Sequence, residues 1–243
     1  MKQFTALEVK ALNAQFEGSP PEDLLGFAST SFGQALAFAC SMGMEDAVLL
    51  EMASHLDLKP RVFFLDTGRL HSETYDTLAR LQVRYGMRIE TYAPDAAALE
   101  AFVNARGINA FYESLEDRKA CCAIRKVEPL GRALRGAGAW ITGLRREQAP
   151  TRSGLAPFEV DWEHGGILKV NPLINWTFAE VHAYAISREI PINPLHAIGY
   201  PSIGCAPCTR PILEGEDMRA GRWWWESPEH KECGLHAAKK VPA

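Results

Sequence analysis

The chain has 243 residues, 47% apolar and 23% charged, with a formal net charge of −4. That suits one sizeable domain with its own core and disfavours a general nucleic-acid binder, while leaving room for a local basic pocket. No apolar run nears the roughly 20 residues that cross a bilayer, and the first residues lack the continuous apolar core of a signal peptide, so a cytoplasmic protein without a membrane segment is expected.

Thr5 and Glu8 form a capping box for a first helix running to about Phe16. Ser19-Pro20-Pro21-Glu22-Asp23 opens a second. Ala35 to Ala39 is a short apolar strand, closed by small residues around Gly43 and followed by helical spacing from Glu45 to His55. Further strands are predicted at Arg61 to Leu65, Met87 to Tyr92 and Ala139 to Thr142, and helices at Ser72 to Tyr85 and Ala96 to Arg106. Cys121-Cys122 stands at the start of another helical stretch, Ala123 to Leu134. Phe158 to Trp162 and Ile167 to Val170 flank Glu163-His164-Gly165-Gly166 as a hairpin. Thr177 and Glu180 cap a helix that ends near Arg188, after which prolines, glycines and aromatics dominate. Strands alternating with helices imply an α/β fold, a mainly parallel sheet with helices on both faces, over residues 1–212. A loop-rich C-terminal tail, 213–243, completes the chain.

In such sheets ligands bind beyond the carboxyl ends of the strands. Cys40-Ser41-Met42-Gly43 links a strand to a helix, where backbone N–H groups and the helix dipole favour an anion. Asp66-Thr67-Gly68-Arg69 adds a cation at the next strand end, and Gly143-Leu144-Arg145-Arg146 with Arg152 adds three more. Arginine suits phosphate and sulfate because its planar fork donates two parallel hydrogen bonds. Three loops at one sheet edge therefore point to an anionic ligand, against the plainer reading of arginines solvated or paired with Glu147.

Six cysteines in a reducing compartment read as metal ligands or reactive thiols. Cys121-Cys122 and Cys205-Ala206-Pro207-Cys208 offer four thiolates, which can hold zinc or an iron–sulfur cluster. Adjacent cysteines are awkward for one tetrahedral zinc and easier for the larger cluster. Lys119, Arg125 and Lys126 would offset the cluster's negative charge. Cys40 is expected to fill space beside the first loop. Cys233 stands alone in a polar tail, near Lys231, His230 and His236, and is a candidate nucleophile. Of Trp223-Trp224-Trp225, at least one is expected to cover the site or pack the tail down.

These motifs together resemble the assimilatory adenylyl-sulfate (APS) reductases, the iron–sulfur branch of the APS/PAPS reductase family. The resemblance rests on Leu65-Asp66-Thr67-Gly68-Arg69-Leu70-His71, Cys121-Cys122 with Ile124-Arg125-Lys126, Thr142-Gly143-Leu144-Arg145-Arg146, Ile203 to Pro211, Gly221 to Trp225, and Lys231 to His236, in family order. It implies an adenine nucleotide α-hydrolase-like fold. It also implies a [4Fe–4S] cluster on Cys121, Cys122, Cys205 and Cys208, with Cys233 as nucleophile and His236 beside it. Lys126, Arg152, Arg219 and Arg222 match basic family positions around the substrate phosphosulfate and the cluster. One departure is the first loop, Cys40-Ser41-Met42-Gly43, where many relatives have Ser-Phe-Ser-Gly.

The implied reaction begins with attack of Cys233 on the sulfur of adenosine 5′-phosphosulfate, leaving a Cys233 S-sulfonate and AMP. With four cysteines on the cluster and Cys40 beside the nucleotide loop, no internal thiol is left to release sulfite, so an external dithiol such as thioredoxin is expected. The alternatives are PAPS reduction on the same scaffold and a non-catalytic metal-binding redox sensor. A homo-oligomer is compatible with the sequence.

Overall fold

A computed structural model describes residues 3–227, 231 and 234–235. Its centre is a six-stranded sheet of β1 (Leu36–Ala39), β2 (Arg61–Leu65), β3 (Glu90–Tyr92), β4 (Ala139–Ile141), β5 (Phe158–Asp161) and β6 (Ile167–Val170). The strand order is β3-β2-β1-β4-β6-β5. Every neighbouring pair is parallel except β5 with β6, which form the expected hairpin.

The helices are α1 (Ala6–Gln15), α2 (Pro21–Phe32), α3 (Met44–His55), α4 (Ser72–Tyr85), α5 (Ala96–Arg106), α6 (Leu115–Cys122), α7 (Glu128–Ala133) and α8 (Phe178–Ser187). Capping boxes start α1 at Thr5 and α8 at Thr177, as their sequences require. Side chains alternate across the sheet with period two. Leu36, Phe38, Val62 and Phe64 face Val48 and Leu49 of α3 and Val181 of α8. Ala37, Phe63 and Trp140 face the opposite layer, with Leu130 and Ala133 of α7. Both faces are thus covered, and none of the helices among the described residues is long and apolar enough to cross a membrane.

Two local expectations change. The third strand begins at Glu90, not Met87. Gly86 closes α4 in a left-handed conformation, Met87 N–H donates to the Gln82 carbonyl, and Ile89 N–H donates to the Gln82 side chain. Those amides complete the helix end and are not offered to the ladder. Cys121-Cys122 ends a helix and does not begin one. Ser114 caps α6 by accepting from Asp117 N–H, and the chain then widens into a π-helical turn, Ala123–Val127, before α7. Such turns recur at functional sites because they re-aim side chains without ending the helix.

Candidate functional site

The ends of β1, β2 and β4 meet at one edge. The chain leaves β1 towards β2 on one side, and β4 lies on the other, so a crevice opens above β1. It holds a cavity of about 1370 Å³, open in part to solvent. Ser41, Gly43, Thr67, Lys126, Gly143, Arg152, Arg219 and Arg222, all picked out from sequence, line it. Lys126, Arg152, Arg219 and Arg222 are all buried, which is costly for cations unless anionic or polar groups face them. Arg222 donates to Ser202 Oγ and the Ile203 carbonyl, while its Nε has no hydrogen-bond partner among the described residues.

The first loop is held from behind. Ser41 N–H and Oγ–H both donate to Asp46 Oδ2 at 2.6 Å. Met42 adopts a φ of 65°, a left-handed conformation that a non-glycine residue keeps only when its surroundings impose it. At Gly143 a Cβ would run into Asp46 Oδ1 and Glu45 Cβ, so only glycine lets the β4 loop pass this helix end. Asp46 was not singled out from sequence, although an acid in the first turn after a small-residue loop is a usable signal.

Burial drives the Asp46 carboxyl up to about 7, against hydrogen bonds from Ser41 that lower it, and Glu45 adds to the rise. The folded state therefore binds its proton more tightly than the unfolded chain does. The stability this contributes is fully present below the ordinary carboxylate range and is lost as pH rises through about 7. Thermal unfolding of the parent and of Asp46→Asn at pH 5 and pH 8 tests this. The parent should lose stability relative to the variant on going to pH 8; an unchanged difference would refute it.

The other described residues expected at the substrate do not line this cavity. Asp66 accepts from Gly68 N–H and from the Tyr75 hydroxyl. Gly68, at φ 67°, lies against the Arg125 guanidinium. Arg69 turns to the cysteines, stacked over Phe111 and donating to Asn109. Arg145 is wholly buried in ion pairs with Glu45 at 2.9 Å and Glu147 at 2.8 Å. Arg146 donates to the Leu155 carbonyl and Asn175. Cys233 and His236 lie outside the described residues. Leu235 does line the cavity, and the Lys231 carbonyl accepts from Arg219. His196, also in the lining, was missed as well. Its Nδ1 meets the Tyr200 carbonyl at 2.8 Å, which fixes the proton on that nitrogen.

Beside this cavity a second space of about 360 Å³, open in part to solvent, is lined by all four paired cysteines with Arg69, Phe111, Arg118, Arg125, Lys126 and Trp223. Lys126 lines both cavities. Cys121 and Cys122 arrive on the end of α6, and Cys205 to Cys208 on a short turn pinned to the β2 loop. There Ala206 N–H donates to the Arg69 carbonyl, and Thr67 Oγ1 lies 3.2 Å from Cys205 Sγ. Burial pushes the Cys208 thiol up to about 12, with Cys205 adding to the rise. Burial also works to raise Cys205, but Lys126, Thr67, Arg222 and Arg125 together bring it below the usual thiol range.

These residues suit a cubane cluster: four buried sulfur donors are ringed by cations. Arg69 Nη1, Arg125 Nε and Trp223 Nε1 are buried donors with no hydrogen-bond partner among the described residues, as sulfur acceptors would require. Among the described residues no three His, Cys, Asp or Glu groups are placed to hold a single metal ion, so the fit rests on the donor set and those unpartnered groups.

Residues 35–211 match the model of the phosphoadenosine phosphosulfate reductase domain family. The chain is 54% identical to an adenosine 5′-phosphosulfate reductase of Burkholderia cepacia, over 84% of this chain and 82% of that protein. It is 51% identical to one from Allochromatium vinosum, over 86% and 81%. Among solved structures, a phosphoadenylyl-sulfate reductase from Candida auris in complex with phosphate superposes with a TM-score of 0.74 at 30% identity, over 86% of this chain and 99% of that one.

Proposed function

The chain belongs to the phosphoadenosine phosphosulfate reductase domain family, and on that basis we propose that it reduces adenosine 5′-phosphosulfate to sulfite and AMP in sulfate assimilation. One observation carries the chemistry. Four buried cations line the cavity at the sheet's carboxyl edge, and one of them, Lys126, also faces a four-thiol cavity.

The nucleotide lies across the carboxyl edge of the sheet of the 1–212 domain, with Ser41, Gly43 and Gly143 lining its site and Lys126 and Arg152 facing its phosphosulfate together with Arg219 and Arg222 from the tail 213–243. Cys233, carried on the tail 213–243, attacks the sulfur atom as a thiolate. A sulfur–sulfur bond forms, the bond from sulfur to the bridging phosphate oxygen breaks, and AMP leaves with its charge held by the cations. Leu235, two positions beyond the nucleophile, lines the same cavity, which supports this assignment. A carrier thiolate, in our reading thioredoxin's, then attacks Cys233 Sγ. Sulfite departs, and the carrier's second thiol resolves the mixed disulfide, so the carrier supplies both electrons.

Cys121, Cys122, Cys205 and Cys208 would hold a [4Fe–4S] cluster, which when bound supplies a fixed negative charge beside Lys126 and a clamp between α6 and the later turn. A cytoplasmic setting accords with five free, buried thiols among the described residues.

The test measures sulfite release from APS and from PAPS with reduced thioredoxin, together with iron and zinc in anaerobically purified protein. Turnover on APS well above PAPS and about four irons per chain are expected. Faster turnover on PAPS would reverse the substrate assignment, zinc would remove the cluster, and no sulfite from either nucleotide would leave a redox sensor.

A further inference from the structure

The two cavities share a wall built in an unusual way. Trp223 is 1% exposed and sits at φ 40°, a left-handed conformation that costs free energy in a residue with a Cβ. Its indole lies between two guanidinium groups, with Arg118 4.8 Å from the ring centroid and Arg222 4.7 Å from it. Arg222 lines the nucleotide cavity and Arg118 the cysteine cavity. Arg118 is fixed in turn by Glu226, through two parallel hydrogen bonds of 2.8 and 2.7 Å, in a pair whose side chains are 1% and 7% exposed. The stack is closed by backbone contacts. Trp223 N–H donates to the Cys208 carbonyl, and Arg222 pairs with Thr209 in an antiparallel bridge. A Cβ at position 204 would collide with the Arg222 guanidinium, so Gly204 gives that group its place.

A surface arginine samples many rotamers, and a cation that must meet a sulfate or phosphate oxygen works best when it samples few. Here a planar guanidinium is clamped between an indole face and a glycine, and the indole is backed by a second guanidinium held by a buried carboxylate. Stacked and desolvated cation–π contacts are stronger than exposed ones.

We propose that Trp223, Arg118 and Glu226 form a positioning column for Arg222, so that a carboxylate outside the lining of the nucleotide cavity sets the affinity for the substrate's anionic groups. The inference rests on the nucleotide reading above and adds residues to it. Glu226 lines neither the nucleotide cavity nor the thiol cavity, and acts through Arg118, which packs on the indole and also meets Cys122. Loss of the carboxylate removes the paired hydrogen bonds that fix Arg118 and leaves its charge to the Cys122 side, so the indole shifts and Arg222 loses one wall of its clamp. No bond to the substrate is removed, yet binding weakens.

The experiment is a double-variant cycle on the cluster-loaded enzyme, with Glu226→Gln, Arg222→Lys and the two combined. It reads kcat/KM for APS alongside iron per chain. Glu226→Gln should lower kcat/KM on the order of tenfold, mostly through KM, with iron unchanged. In the Arg222→Lys background the same substitution should change kcat/KM less than twofold, since the lysine is not clamped by the stack. Trp223→Phe, which keeps an aromatic face, should fall between the parent and Trp223→Leu, and this second series applies if Glu226→Gln does not fold. Multiplicative effects of the two substitutions, or a fall in kcat/KM that only tracks loss of iron, would overturn the proposal. Parent protein that releases no sulfite from APS would instead overturn the functional reading beneath it.

Discussion

Cys233→Ser is expected to stop sulfite formation, with kcat/KM falling by at least about four orders of magnitude. A serine hydroxyl is almost wholly protonated at neutral pH, and the cavity's cations cannot lower its pKa far enough to generate an alkoxide. The more telling measurement is made without reductant. Parent enzyme mixed with excess APS should release one AMP per active chain in a burst and gain a sulfonate on Cys233, seen as a mass increase of the tail peptide. The serine variant should give neither, while keeping its iron and its AMP affinity. A stoichiometric AMP burst from the variant, or a sulfonate on Cys40 in the parent, would move the nucleophile elsewhere. Cys40 is an unfavourable candidate on the structure: it is fully buried, and burial together with the nearby Asp46 raises its thiol well above the usual range.

The second large effect falls on stability, at a residue that sequence placed among the substrate cations. Arg145→Ala should cost about 3 kcal/mol of folding free energy, and Arg145→Lys somewhat less. Arg145 has no exposed surface, donates to Glu45 and Glu147, and reaches the Trp176 carbonyl. Removing it leaves Glu45 partly buried without its ion pair, which costs more than the pair itself contributes. Denaturant unfolding should show a lower midpoint with an unchanged slope. At temperatures where the variant stays folded, its KM for APS should remain within a few-fold of the parent. A large rise in KM with unchanged stability would return Arg145 to the substrate site.

The contrast between Arg145 and Arg222 shows where sequence reasoning stops. Both are arginines in short motifs near strand ends or cysteine turns, and nothing in the chain order separates them. Their roles diverge because Glu45 and Glu147 neutralise Arg145, whereas Arg222 is held by neutral hydroxyl and carbonyl groups and by an indole. Glu226 was invisible for the same reason: it acts on an arginine more than 100 positions earlier, which only folding brings near.

Sequence alone determined the elements and their order. Buried parallel strands are continuous apolar runs, helices carry capping boxes, and both signals are local in the chain. It also offered a candidate donor set, two separated cysteine pairs with four thiols between them. Tertiary structure decided what those residues do. It turned Cys121-Cys122 into the end of a helix through the Ser114 cap and the π-helical turn that follows. It divided the arginines between ion pairs, the thiol cavity and the nucleotide cavity. A charge is described by its partners, and in a parallel sheet those partners arrive from distant crossovers, so no local pattern in the chain records them.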